Sequence, residues 1–117
     1  MTVTIYGIKT CDTVRKARAW LEAKGVEHRF VDFRVDGLDP RSLARWKGAV
    51  GWEKLLNKAS TTFKGLSDAD RAGLDEKKAL ALMQAHPTLI KRPVLDVDGA
   101  VTVGFKPDIY EQAVSAG

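Results

Sequence analysis

The stretch from Thr2 to Phe33, "TVTIYGIKTCDTVRKARAWLEAKGVEHRFVDF", constrains the fold more than any other. Val3 and Ile5, with Thr4 and Tyr6, make a β-branched and aromatic run that stops at Gly7, which predicts a strand over Thr2–Tyr6. Val14, Ala17, Trp20, Leu21 and Lys24 follow helical spacing and Gly25 supplies a stop signal, so a helix is expected over Asp12–Lys24. "HRFVDF" then offers a second strand. Strand, helix and strand joined by links this short imply a parallel pair with a right-handed crossover.

The pattern changes after Leu38. Asp39 followed by Pro40 reads as a helix start, with the carboxylate capping free amides and the proline placed where no N–H bond is lost; "RSLARWK" fits the helix it opens. "WEKLLNK" reads as another short helix, and Ser67 with Asp70 gives a capping signal ahead of "RAGL". Asp75 can cap "EKKALALMQAH", which stops before Pro87. Past this helical block, "PVLDV" and "AVTV" flank Asp98-Gly99, a strong hairpin signal, and a last helix is expected over Pro107–Ala116. The order βαβ, helices, ββα is that of an α/β, thioredoxin-like sheet carrying an all-helical insertion of Leu38–Pro87 in a single domain of residues 1–117.

Totals narrow the function classes. A chain of 117 residues, 44% hydrophobic and 29% charged, suits one folded domain that needs no disulfide or metal staple. The net charge of +4 comes from basic residues interleaved with acidic ones, which argues against nucleic acid as a partner. No apolar run approaches the ~20 residues of a membrane span, and the N-terminus lacks a signal-peptide pattern, so a cytoplasmic location is expected. A single cysteine excludes an internal disulfide, and with only His28 and His86 as imidazoles no metal site is expected. Trp20, Trp46 and Trp52 fall on apolar helix faces and are assigned to core or interface.

The single thiol, Cys11, stands where the first strand hands over to the first helix. There the unpaired amides of the first helical turn and the positive end of the helix dipole favour a thiolate, and such cysteines have pKa values lowered from about 8.5 toward roughly 3.5–7.5. Lys9 and Thr10 precede it in the loop "GIKTC", where Lys9 can add positive charge. In "IKRPVL", a proline opening a strand needs no special explanation, but in a thioredoxin-like fold this loop lies beside the thiol. Arg92 would then bring a fork of donors to the thiolate or to a bound oxyanion. In "GFKPDIY", Lys106 stands just before the last helix, taken alone an ordinary solvated lysine.

With "VTIYGIKTCDTVRKARAWLE", "VDFRVDGL", "GWEKLLNKAS", "HPTLIKRPVL" and "VGFKP" assembled, the sequence resembles the arsenate reductase ArsC family nearly end to end. It is most similar to the YffB-like branch, to which the transcription regulator Spx is related. The resemblance implies a thioredoxin-like fold with a helical insert, a catalytic cysteine at Cys11, and an arginine before a cis-proline at Arg92 and Pro93. It also implies a departure, since arsenate reductases of this type hold a three-arginine cage and this chain has Asn57 and Lys106 at two of those positions. A tetrahedral dianion is held best by several guanidinium forks, so the loss argues against efficient arsenate reduction. Asn57 and Lys106 still suit a carboxylate or peptide such as glutathione. Spx-like regulators commonly carry a second cysteine three residues after the first, where this chain has Val14, so an intramolecular disulfide switch is excluded.

The function expected is a glutathione-dependent thiol reductase. Cys11 is the nucleophile, and Lys9, Thr10, Arg92, Pro93, Lys106 and Asn57 stabilise the thiolate or bind substrate. No cofactor is bound; glutathione is the co-substrate, acting on an oxidised thiol or oxyanion. The alternative is a non-enzymatic, Spx-like adaptor that binds a protein such as RNA polymerase, and a third option is residual arsenate reduction.

Overall fold

A computed structural model describes residues 1–115, in which the chain divides into two compact units. The first joins Met1–Gly37 to the chain from Arg92 onward, and the second is Leu38–Lys91. In the first unit, β1 (Val3–Gly7), α1 (Asp12–Ala23) and β2 (Arg29–Asp32) form the crossover expected from the sequence. A helical turn, α2 (Phe33–Asp36), follows; β3 (Val94–Val97), β4 (Ala100–Val103) and a last helix, Pro107–Ser115, complete the unit. The four strands make one mixed sheet in the order β2-β1-β3-β4, with β1 and β2 parallel and the β1–β3 and β3–β4 pairs antiparallel. This βαβ–ββα arrangement is the thioredoxin-like fold.

Alternation explains which face is buried. Val3 and Ile5 of β1 lie opposite Val97 and Leu95 of β3, and these four pack with Ala17 and Leu21 of α1 and Tyr110 of the last helix in one core. Tyr110 is fully enclosed, with Trp20 and Phe105 meeting its ring edge-on at centroid distances of 5.8 and 4.9 Å. The hairpin between β3 and β4 turns on Asp98 (φ 52°) and Gly99 (φ 92°), both left-handed as a type I′ turn requires. Asp98 also secures the start of β1, its side chain accepting from the Thr2 amide at 2.7 Å and its own amide donating to the Thr2 carbonyl at 2.9 Å.

The second unit is helical apart from one antiparallel bridge, Leu56 to Ile90. It runs through α3 (Pro40–Val50), α4 (Trp52–Leu55), α5 (Thr61–Lys64), α6 (Asp68–Arg71), α7 (Glu76–Ala85) and a 3-10 turn at Pro87–Leu89, after which the helix in the first unit is α8. The expected caps are in place: Asp39 accepts from the Arg41 amide, Ser67 from Asp70 and Asp75 from Lys78, at 2.9, 3.1 and 2.8 Å. Trp46 is fully buried.

Three elements differ from expectation. The second strand ends at Asp32 rather than Phe33, because the Asp32 carboxylate accepts from the Arg34 amide and turns the chain into α2. The helix expected at "RAGL" lies earlier, at Asp68–Arg71, since Ser67 caps it directly, and Gly73 beyond it is left-handed (φ 60°). The helix at "WEKLLNK" stops at Leu55 because Leu56 turns extended to pair with Ile90. The block is therefore not wholly helical. The C-terminal end of the last expected helix, Ala116, lies outside the described residues.

Candidate active site

Cys11 is the N-cap of α1, in extended backbone (φ −77°, ψ 125°), and its own carbonyl accepts the first helical bond from Arg15 at 3.0 Å. It gets there by a tight turn, closed when the Cys11 amide donates to the Ile8 carbonyl at 3.0 Å. The handover is close-packed. A Cβ placed on Gly7 would lie 2.6 Å from Val14 Cγ2, so only glycine lets the end of β1 approach the first turn of α1 this closely.

The thiol is partly exposed. Its surroundings favour the charged form. Burial pushes the pKa up, but the Val14 amide, a hydrogen bond from the Arg92 side chain, the Thr13 amide and the Arg92 charge together outweigh it, and the net effect is a pKa below the ordinary thiol value. These are the groups a thiolate nucleophile needs: helix-terminal amides aimed at the sulfur and a permanent cation beside it.

Arg92 reaches the thiol through the sheet. Antiparallel pairing of Tyr6 with Val94 sets the start of β3 against the end of β1, and the Arg92–Pro93 peptide just before β3 is cis. Pro93 is buried and Arg92 half-buried. The Pro93 carbonyl accepts from the Gly104 amide at 2.8 Å, which ties the β4–α8 loop, and with it the exposed Lys106, to the same end of the sheet.

The remaining sequence candidates fall differently. Lys9 and Thr10 are exposed in the turn, and the defined contacts of Lys9 run through its backbone: its amide donates to Asp32 Oδ2 at 2.9 Å and its carbonyl accepts from Arg15 Nε at 3.4 Å. Asn57 belongs to the second unit, where its side-chain oxygen accepts from the Ala59 amide at 3.1 Å and its own amide donates to the Leu89 carbonyl at 2.7 Å. Among the described residues, no group of three or more His, Cys, Asp or Glu side chains is placed to hold a metal ion.

One residue here was absent from the sequence reading. Asp32 is only 8% exposed, and its carboxylate takes amides from two directions, Lys9 on Oδ2 at 2.9 Å and Arg34 on Oδ1 at 2.8 Å. Burial raises its pKa, but the Lys9, Arg34 and Val35 amides and the Arg34 charge hold it below the ordinary carboxylate range. An acid interrupting "RFV-DF" at the C-terminal end of a parallel strand, where loops gather, was the available signal.

The sequence profile of the ArsC family matches residues 6–113. Among solved structures, the chain is similar to a YffB protein at 50% identity and a TM-score of 0.92, covering 96% of this chain and 98% of that one. It is also similar to an arsenate reductase (ArsC) related protein from Brucella melitensis, at 50% identity and a TM-score of 0.77, covering 97% and 95%. A more distant likeness, 30% identity over 111 residues, is to the global transcriptional regulator Spx of Listeria innocua, covering 91% of this chain and 82% of the regulator.

Proposed function

This chain belongs to the ArsC family, and on that premise we propose that it is a glutathione-dependent thiol reductase whose nucleophile is Cys11. The observation that carries the proposal is the sulfur's placement at the start of α1, with the Val14 and Thr13 amides and the Arg92 side chain favouring its ionised form. The thiolate attacks one sulfur of a substrate disulfide, forming a Cys11 mixed disulfide and releasing the other sulfur as a thiolate. Glutathione thiolate then attacks the mixed disulfide at the substrate sulfur, restoring Cys11 as thiolate and leaving a glutathione–substrate disulfide. A second glutathione reduces that disulfide, giving free substrate thiol and oxidised glutathione. Cys11 is the chain's single cysteine, so the resolving thiol must come from outside. Arg92 and Lys106, both carried by the first unit, supply the cations for the carboxylates of glutathione.

The deciding experiment is intact mass after incubation with oxidised glutathione, followed by turnover against glutathione concentration. One adduct, lost in Cys11→Ser, and a rate that rises with glutathione are expected. A rate indifferent to glutathione over a wide range refutes the scheme.

The likeness to Spx favours a second reading, a non-enzymatic adaptor for a protein such as RNA polymerase. A stoichiometric polymerase complex unaffected by Cys11→Ser, from a protein without turnover, supports the adaptor over the reductase.

A further inference from the structure

We propose that Asp32 is the positioning residue of Cys11: its buried carboxylate pins the turn that delivers the thiol to the start of α1. The inference rests on the reading of Cys11 as a thiolate nucleophile and adds the group that sets its geometry. The turn Ile8–Cys11 closes through one backbone bond, Cys11 amide to Ile8 carbonyl at 3.0 Å, and its second residue, Lys9, is exposed. What fixes it from the sheet side is Asp32, which stands opposite Gly7 in the parallel register and accepts the Lys9 amide at 2.9 Å.

The other half of the carboxylate accepts Arg34 at 2.8 Å, and the Asp32 amide donates to Asp36 Oδ2 at 3.2 Å, so the clamp is itself anchored in α2. Donors approach both oxygens. Only a carboxylate offers acceptors to both sides, because an amide would turn an NH2 group toward one of the two N–H groups. Asp32 therefore couples the end of β2 to the loop between β1 and α1. The Thr13 and Val14 amides face the sulfur only while that loop holds Cys11 at the N-cap position.

Two roles predict opposite signs. As a charge, Asp32 disfavours a second anion nearby, so neutralising it would make Cys11 easier to ionise. As a positioning residue, its loss lets the turn relax and weakens the bonds to the thiolate, making Cys11 harder to ionise. The test is the rate of Cys11 alkylation by iodoacetamide against pH for the wild-type protein, Asp32→Asn and Asp32→Ala, with circular dichroism as the check on folding. The midpoint is expected to rise in both variants. Below the wild-type midpoint the rate should fall about threefold to tenfold, the range that losing one amide hydrogen bond implies.

A midpoint that falls, or profiles that coincide with wild type while thermal stability drops, overturns the proposal. A wild-type profile already at the value of free cysteine refutes the thiolate reading itself, and this is visible before any substitution is made. Should the variants fail to fold, the wild-type protein still answers by nuclear magnetic resonance. The Lys9 amide proton should follow the protonation of Asp32, and the Thr13 and Val14 amides should move with it. Thr13 and Val14 amides unmoved across that titration overturn the proposal equally.

Discussion

Adding one methyl group to Gly7 should make the thiol harder to ionise without touching it. An alanine Cβ at this position lies 2.6, 3.2 and 3.5 Å from Val14 Cγ2, Cγ1 and Cβ, where ordinary contact needs about 3.5–4.0 Å. Val14 cannot swing away, because a β-branched residue in a helix has essentially one χ1 well and this one is fully buried. The first turn of α1 must therefore shift outward. Overpacking of this kind costs about 1–3 kcal/mol, partly offset by the roughly 0.4–1 kcal/mol that replacing glycine gains through the unfolded chain. Gly7 is not among the left-handed glycines, so no backbone strain enters. The balance is centred on a net loss of about 1.3 kcal/mol, or roughly 5 °C in Tm for a chain of this size.

The assay is denaturant unfolding of wild type, Gly7→Ala, Val14→Ala and the double variant, with Cys11 alkylation measured alongside. Val14→Ala alone costs stability by leaving a cavity. In the double variant the new methyl group occupies part of the vacated space, so the two losses should fall short of their sum by about 1 kcal/mol or more. Because Val14 and Thr13 carry the amides that favour the thiolate, Gly7→Ala should also raise the alkylation midpoint, and the double variant should lower it again. Additive losses, or a Gly7→Ala protein as stable as wild type, would show that the Gly7–Val14 contact does not constrain the start of α1.

Arg92→Ala should raise the alkylation midpoint of Cys11 by removing both a hydrogen bond and a positive charge, and Arg92→Lys should restore it only in part, since an ammonium keeps the charge without the fork; coincident curves remove Arg92 from the site. The lowered Cys11 pKa also predicts a sign for stability: the native state releases its proton first, so the contribution of the thiolate is fully present above the ordinary thiol value and is lost as pH falls through the lower native value. The stability of wild type relative to Cys11→Ser should thus rise with pH across that window, and a flat difference contradicts it. Tyr110 is enclosed, its hydroxyl lacks a hydrogen-bond partner among the described residues, and burial raises its pKa. Tyr110→Phe should be neutral or stabilising by up to about 1 kcal/mol in denaturant unfolding, and a loss of more than 1 kcal/mol would mean that the hydroxyl is satisfied.

Features set by neighbouring residues were legible in the sequence. The caps at Asp39, Ser67 and Asp75 act within three residues, and the Asp98-Gly99 turn needs only its own two left-handed positions. The helical turns Phe33–Asp36 and Thr61–Lys64 went unread because four residues hold too few apolar positions for a period to show. Leu56 was assigned to a helix because nothing local discloses its partner Ile90. Cys11 was identified because a helix start is a local property. The Lys9 side chain drew attention as a charge, whereas its defined contacts are those of its amide and carbonyl.

What remained illegible belongs to register. The parallel pairing of Gly7 with Asp32, the antiparallel pairing of Tyr6 with Val94 and that of Val94 with Val103 bring the ends of β1, β2 and β4 and the start of β3 to one end of the sheet. Cys11 follows β1, Asp32 ends β2, Arg92 and Pro93 precede β3, and Gly104 follows β4. Slipping β2 by one residue would set Val31 or Phe33 opposite Gly7, leaving the Lys9 amide without a carboxylate, and would also turn Phe30 away from the core it packs against. The register that seats Phe30 against the core therefore also sets the Asp32 carboxylate beneath the turn that carries the thiol. Substitutions that loosen β2 without reaching the loop should alter the reactivity of Cys11 before they unfold the sheet.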